Sequence, residues 1–154
     1  MFRSLSDFIA SITRGEEKKT FDENDYRLSA AALLVHVAAS DDHFDDAERN
    51  VLLDVLIQRF DVASEDADAL IDAAVSADRE AVDLYQFTSM VNRSLDEESK
   101  KKLVEVLFLI GYADGKLSEF EDNIVWRASE LLHVSSQDRI EIRKRIRSAA
   151  GDRA

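Results

Sequence analysis

The sequence predicts an all-α protein, a bundle of seven to eight helices made of two pseudo-symmetric three-helix units. Three observations carry that expectation. The 154 residues contain no proline and only four glycines, Gly15, Gly111, Gly115 and Gly151, so little punctuates strands or long loops. Apolar residues recur at helical spacing along most of the chain. The second half of the chain also repeats the first.

The elements follow in order. Phe2, Leu5, Phe8, Ile9 and Ile12 would fall on one face of a helix, which predicts an amphipathic N-terminal helix over residues 1–14. Gly15–Thr20 is polar and aperiodic, so residues 15–23 read as a linker. The helical domain is expected over 24–149, with helices at 24–40, 45–60, 64–78, 81–94, 96–113, 118–132 and 135–149. In the second of these, Val51, Leu52, Val55 and Leu56 make a one-sided stripe, as do Phe120, Ile124, Val125, Ala128, Leu131 and Leu132 in the sixth. Ala30–Ala39 and Leu103–Ala113 are apolar nearly all round, as helices enclosed by others must be. Both are far shorter than the ~20 residues that span a bilayer.

The repeat appears when the halves are overlaid with a shift of 73 residues, which pairs Leu34 with Leu107, Asp41 with Asp114, Phe44 with Leu117, Glu48 with Glu121, Asn50 with Asn123 and Val51 with Ile124. After a one-residue gap, Val62-Ala63-Ser64-Glu65-Asp66 pairs with Val134-Ser135-Ser136-Gln137-Asp138. The repeat units are therefore about 24–78 and 96–149, each a buried helix, an acidic turn, an amphipathic helix, a Val-containing turn and a third helix.

Composition narrows the function. With no cysteine, disulfides, thiolate metal sites and thiol nucleophiles are excluded. Asp and Glu number 32 against 20 Lys and Arg, and a net charge of −12 opposes nucleic-acid binding while favouring cations or basic partners. The first residues, Met-Phe-Arg-Ser-Leu-Ser-Asp-Phe, lack the basic start and continuous apolar run of a secretory signal, so the expected location is cytoplasmic.

The chemistry concentrates in two acidic turns, Ala39-Ser-Asp-Asp-His-Phe-Asp-Asp-Ala-Glu48 and Tyr112-Ala-Asp-Gly-Lys-Leu-Ser-Glu-Phe-Glu121. One role is structural. Ser118 followed three residues later by Glu121 is the pattern of a capping box, and Asp45 with Glu48 can play the same parts. Gly115 suits a positive φ after the preceding helix. The other role is metal binding, since hard divalent cations take several converging oxygens. Asp114, Gly115, Leu117 and Glu121 have the spacing of positions 5, 6, 8 and 12 of an EF-hand loop, but positions 1 and 3 fall on Ile110 and Tyr112, and in the first unit on Val37 and Ala39. Neither turn is an EF-hand, so a metal site would need ligands from both turns or from a partner.

These residues carry a resemblance. Tyr112-Ala-Asp-Gly-Lys-Leu-Ser-Glu-Phe-Glu-Asp-Asn-Ile-Val-Trp126, with Leu33-Leu-Val-His-Val-Ala38 before the first turn, is similar to the TerB family of tellurite-resistance-associated proteins over about residues 24–149. The resemblance implies an all-helical, internally duplicated, cytoplasmic module of tellurite and other chemical-stress responses with an acidic metal site. Carried over, it implies Asp41, Glu48, Asp114 and Glu121 as ligands of a divalent ion, with Ca²⁺, Mg²⁺ or Mn²⁺ favoured. Asp42 stands where the second unit has Gly115, a departure in the first turn.

Other chemistry is sparse. His36 lies inside an apolar helix, where a hydrogen-bonded core role is expected, His43 lies on a turn and His133 closes its helix. Glu130-Leu-Leu-His133 is a single Glu-x-x-His, whereas helical di-metal carboxylate enzymes use two. No His-Glu-x-x-His, Gly-x-Ser-x-Gly or phosphate-cradling glycine loop is present. A non-catalytic role is therefore expected. Arg139, Arg143, Lys144, Arg145 and Arg147 give the last helix a basic end that suits its dipole, while Ile142 and Ile146 need a core to face.

Two readings stand at this point. In one, a TerB-like module binds a divalent cation through both acidic turns and engages a protein partner. In the other, a helical protein-interaction module uses the turns only as caps and has no metal site. Homo-oligomerisation and peripheral membrane contact through residues 2–12 are further expectations, and no nucleic-acid partner is expected.

Overall fold

The computed structural model describes residues 25–40, 44–113 and 115–149, and all of the regular structure in them is helical. Seven helices are present there: α1 (Tyr26–Ala38), α2 (Asp46–Arg59), α3 (Ser64–Glu80), α4 (Tyr85–Ser94), α5 (Glu97–Gly111), α6 (Glu119–Leu131) and α7 (Ser136–Ala149). The helix expected over 1–14 and the linker over 15–23 lie outside the described residues.

Local sequence explains where the helices begin. The Asp25 side chain accepts the Arg27 N–H, and Asp96 accepts that of Ser99. Ser135 Oγ takes the Asp138 N–H at 3.1 Å, so a short oxygen satisfies one of the orphan donors of the first turn of α7. Every predicted boundary lies within two residues of the observed one except the start of α4, expected at residue 81 and found at Tyr85. The reason is local. The Asp83 carboxylate captures the Tyr85 N–H at 2.9 Å, and Ala81 is extended with ψ 140°. Val82 is 98% exposed, so an earlier helix start would bury nothing.

α1 is the central pillar. Ser29 to Val35, Val37 and Ala38 are all buried, and α1 packs against α2, α3, α4, α5 and α6. α5 is the second pillar, burying Leu103, Val104, Val106, Leu107, Phe108, Ile110 and Gly111 against α1, α2, α6 and α7. Each fully buried Leu or Val contributes about 1.5–3 kcal/mol relative to exposure, which is why these two helices dominate the core. α7 does face that core, through Ile142 and Ile146. Its basic residues are partly spent on ion pairs, Arg145 with Glu105 at 3.1 Å and Arg143 with Asp122 at 3.7 Å.

The stripe expected on α6 needs one correction. Phe120 is 71% exposed, while Val125, Ala128 and Leu132 are buried as expected, Ile124 and Leu131 pack against the core, and Glu121 and Ser129 are buried as well. Phe120 is about 100° from Glu121 on the helix, and with Glu121 on the inner face it is left outside.

Helix ends at corresponding places in the repeat share hydrogen bonds. Ala39 N–H donates to Val35 O and Ser40 N–H to Val37 O, and 73 residues later Tyr112 N–H donates to Phe108 O and Ala113 N–H to Ile110 O. The ends of α2 and α6 absorb the one-residue gap. Val62 N–H reaches back to Leu56 O at 3.2 Å, and Val134 N–H to Ser129 O at 3.0 Å. Leu56 and Ser129 correspond, so the same closure spans one residue more in the first unit. Both ends turn through a non-glycine residue in the left-handed region, Asp61 with φ 56° and His133 with φ 64°.

Candidate functional site: the acidic turns

The acidic turns join α1 to α2 and α5 to α6. Of the four carboxylates expected to bind metal, Glu48 and Glu121 are described, while Asp41 and Asp114 lie outside the described residues, as do Asp42 and His43. Both glutamates occupy complete capping boxes. In the first, Glu48 N–H donates to Asp45 Oδ1 at 2.9 Å and Asp45 N–H donates to Glu48 Oε1 at 3.0 Å. In the second, Glu121 N–H donates to Ser118 Oγ at 3.1 Å and Ser118 N–H donates to Glu121 Oε1 at 2.8 Å. Two backbone donors per helix are thereby satisfied, with a negative charge at the positive end of each dipole.

The two carboxylates differ in burial. Glu48 is half-buried, whereas Glu121 is 7% exposed. Gly111, the last residue of α5, lies beside Glu121. A Cβ at Gly111 would overlap Leu117 Cδ1 and lie 3.7 Å from Val37 Cγ1 and 3.9 Å from Glu121 Cβ. Val37 is in the last turn of α1, Gly111 closes α5 and Glu121 opens α6. The helices from which the two acidic turns depart therefore end side by side, with the Cβ of Glu121 next to Gly111. A buried carboxylate is costly unless hydrogen-bonded, paired or coordinated, and the Ser118 amide supplies one such partner.

Gly115, expected to take a positive φ, has φ 96°, and its N–H closes a turn onto Tyr112 O at 2.8 Å. No heavy atom lies within 4 Å of a Cβ built there, so the glycine is required by backbone conformation rather than by space. Among the described residues, no group of three or more His, Asp or Glu side chains is arranged to hold a metal ion.

His36 has the hydrogen bond expected of it, with Nδ1 2.7 Å from Asp78 Oδ1 on α3, but not the core position, since its side chain is 38% exposed. Its partner lies 42 residues away, so nothing local in the sequence marks Asp78. The pair borders a depression of about 650 Å³ that also meets Ser40, Phe120, Asn123 and Arg127, beside the start of the first turn.

Among the described residues no helix is long and apolar enough to cross a membrane. A family profile described as tellurite resistance protein TerB matches residues 27–144. No curated protein and no solved structure matches the chain.

Proposed function

The chain belongs to the TerB family of tellurite resistance proteins, and on that premise we propose that it is a non-catalytic cytoplasmic module of tellurite and chemical-stress responses whose two acidic turns share one divalent cation. Asp41 and Glu48 from the first turn and Asp114 and Glu121 from the second are the ligands, and the loaded form engages a protein partner. The observation that carries this reading is the position of Glu121. Glu121 is a buried residue, and its Cβ stands beside Gly111, which also faces Val37, near the ends of α5 and α1 from which both acidic turns set out.

The donor chemistry agrees. All four ligands are carboxylates, which suit Ca²⁺, Mg²⁺ or Mn²⁺ rather than softer ions. A carboxylate offers about four lone-pair sites, so accepting one backbone amide in a capping box does not exhaust it. The caps fix the carbon skeletons of Glu48 and Glu121 in advance, which lowers the ordering cost of binding.

A second reading, that the turns only cap α2 and α6, is favoured by the completeness of both boxes. Glu121→Gln separates the two. Glutamine keeps an oxygen for the Ser118 amide but removes the charge that a hard cation requires. Calorimetric titration of Ca²⁺, Mg²⁺ and Mn²⁺ into chelator-stripped protein should give binding heat for the wild type and none for the variant. Absence of heat from the wild type at millimolar metal would leave capping as the role of the turns.

A further inference from the structure

The outer side of α6 carries a face that is complementary to itself. Glu119, Phe120, Asn123, Trp126, Arg127 and Glu130 are all exposed. At about 100° per residue the other five lie within about 60° of Asn123, opposite the buried Val125 and Ala128. Phe120 and Trp126, 71% and 43% exposed, put an aromatic ring on either side of Asn123. Glu119 and Arg127 stand about 6 Å before and after Asn123 along the helix, an acid at one end and a base at the other. Neither forms an ion pair with another described residue.

A two-fold axis passing between two Asn123 side chains brings Glu119 of each copy to Arg127 of the other. Asn123 then meets its own counterpart, where an amide can both donate and accept. Phe120 lies opposite Arg127 of the other copy, whose guanidinium can stack on the ring while it reaches Glu119. We propose that two chains associate through this face, with their α6 helices antiparallel about Asn123.

The repeat supplies an internal comparison. At the corresponding positions of α2 stand Asp46, Ala47, Asn50 and Asp54, so that face has acids at both ends and a methyl in place of the Phe120 ring. The same two-fold there would oppose like charges. On α6 the depression of about 650 Å³ that Phe120, Asn123 and Arg127 share with His36 and Asp78 leaves room for side chains of the other copy. A bilayer fits less well, since Glu119, Arg127 and Glu130 interrupt the aromatic pair. The net charge of −12 opposes the meeting of like chains at long range, so the two ion pairs and the rings must outweigh it locally.

The association does not depend on the acidic turns holding a cation, and the full chain is tested after chelation so that the two outcomes stay separate. A helix face about 20 Å long makes a small, weakly associating interface, so sedimentation equilibrium is carried to about 1 mM chain. The wild type should dimerise, and the emission of Trp126, the one tryptophan of the chain, should shift to the blue as concentration rises. Phe120→Ala, at an exposed position, should keep the circular dichroism spectrum and weaken the dimer about tenfold. Glu119→Arg and Arg127→Glu should each be monomeric, because each sets like charges opposite one another. Mixed in equal amounts, the two should form a heterodimer in which both ion pairs are restored. A wild type that stays monomeric throughout would overturn the proposal. So would single reversals that remain dimeric, or monomeric reversals that fail to associate on mixing.

Discussion

Glu121 stands against Gly111, where a Cβ on the glycine would lie in ordinary contact, 3.9 Å from the Cβ of the glutamate, and would overlap Leu117 Cδ1. That contact lies between the end of α5 and the start of α6. Its tolerance for added atoms is graded. Gly111→Ala meets only the terminal methyl of Leu117, which can rotate, and the helix gains up to ~1 kcal/mol of propensity, so stability should stay within about 1 kcal/mol. Gly111→Val sends methyls towards Val37 and Glu121 as well, and should cost ~1–3 kcal/mol in urea unfolding. A valine variant as stable as the wild type would contradict the close approach.

The capping boxes make a separable stability contribution. Asp45→Ala and Ser118→Ala each remove a side-chain oxygen from an N3 amide, at 2.9 and 3.1 Å respectively, and should each destabilise the fold by ~0.5–2 kcal/mol. Glu121→Gln keeps its acceptor and should cost less than Ser118→Ala in metal-free buffer. Thermal melts of the three variants after chelation check that order.

Asp96 gives the clearest pH signature. The backbone N–H of Ser99 at 2.9 Å, followed by its hydroxyl, holds the Asp96 carboxyl below the usual carboxylate range. A folded-state value lower than the unfolded one means that the cap stabilises α5 fully at neutral pH and loses its contribution as pH falls through the folded value. Titrating the Asp96 carboxyl carbon by NMR should show the depressed value, and Asp96→Asn should weaken the dependence of stability on pH in the acid range.

The core responds differently, because no alternative packing is at hand. Leu34 is fully buried in α1, the helix that packs against α2 to α6. Leu34→Ala should cost ~2–5 kcal/mol, a large part of the ~5–15 kcal/mol that holds an ordinary domain together. Retention of the wild-type urea midpoint would show that α1 is not the pillar.

How much of this could be read from residues alone depends on the range of the interaction. Ser118 and Glu121 are three residues apart, and their reciprocal bonds were legible because both partners lie in one turn of helix. The enclosed character of α1 was legible because Ala30–Ala39 offers no polar face. The start of α4 was not, since Asp83 competes locally for the Tyr85 amide with a side-chain bond that periodicity does not register. The Asp78 partner of His36, 42 residues distant, and the wedge of Gly111 between Leu117, Val37 and Glu121 are products of tertiary packing. In the acidic turns, Glu48 and Glu121 were identified by their spacing, but only the fold brings the end of α1 and the end of α5 together beside Glu121.

The central claim is that the two turns share one cation, and the stoichiometry of metal binding tests it most directly. Calorimetric titration of Mn²⁺, Mg²⁺ and Ca²⁺ into metal-free wild type, Asp41→Asn and Asp114→Asn should give one ion per wild-type chain and no binding to either variant, since each variant removes a ligand from the same site. Two independent ions per chain, one lost in each variant, or wild-type protein that takes up no ion, would contradict it.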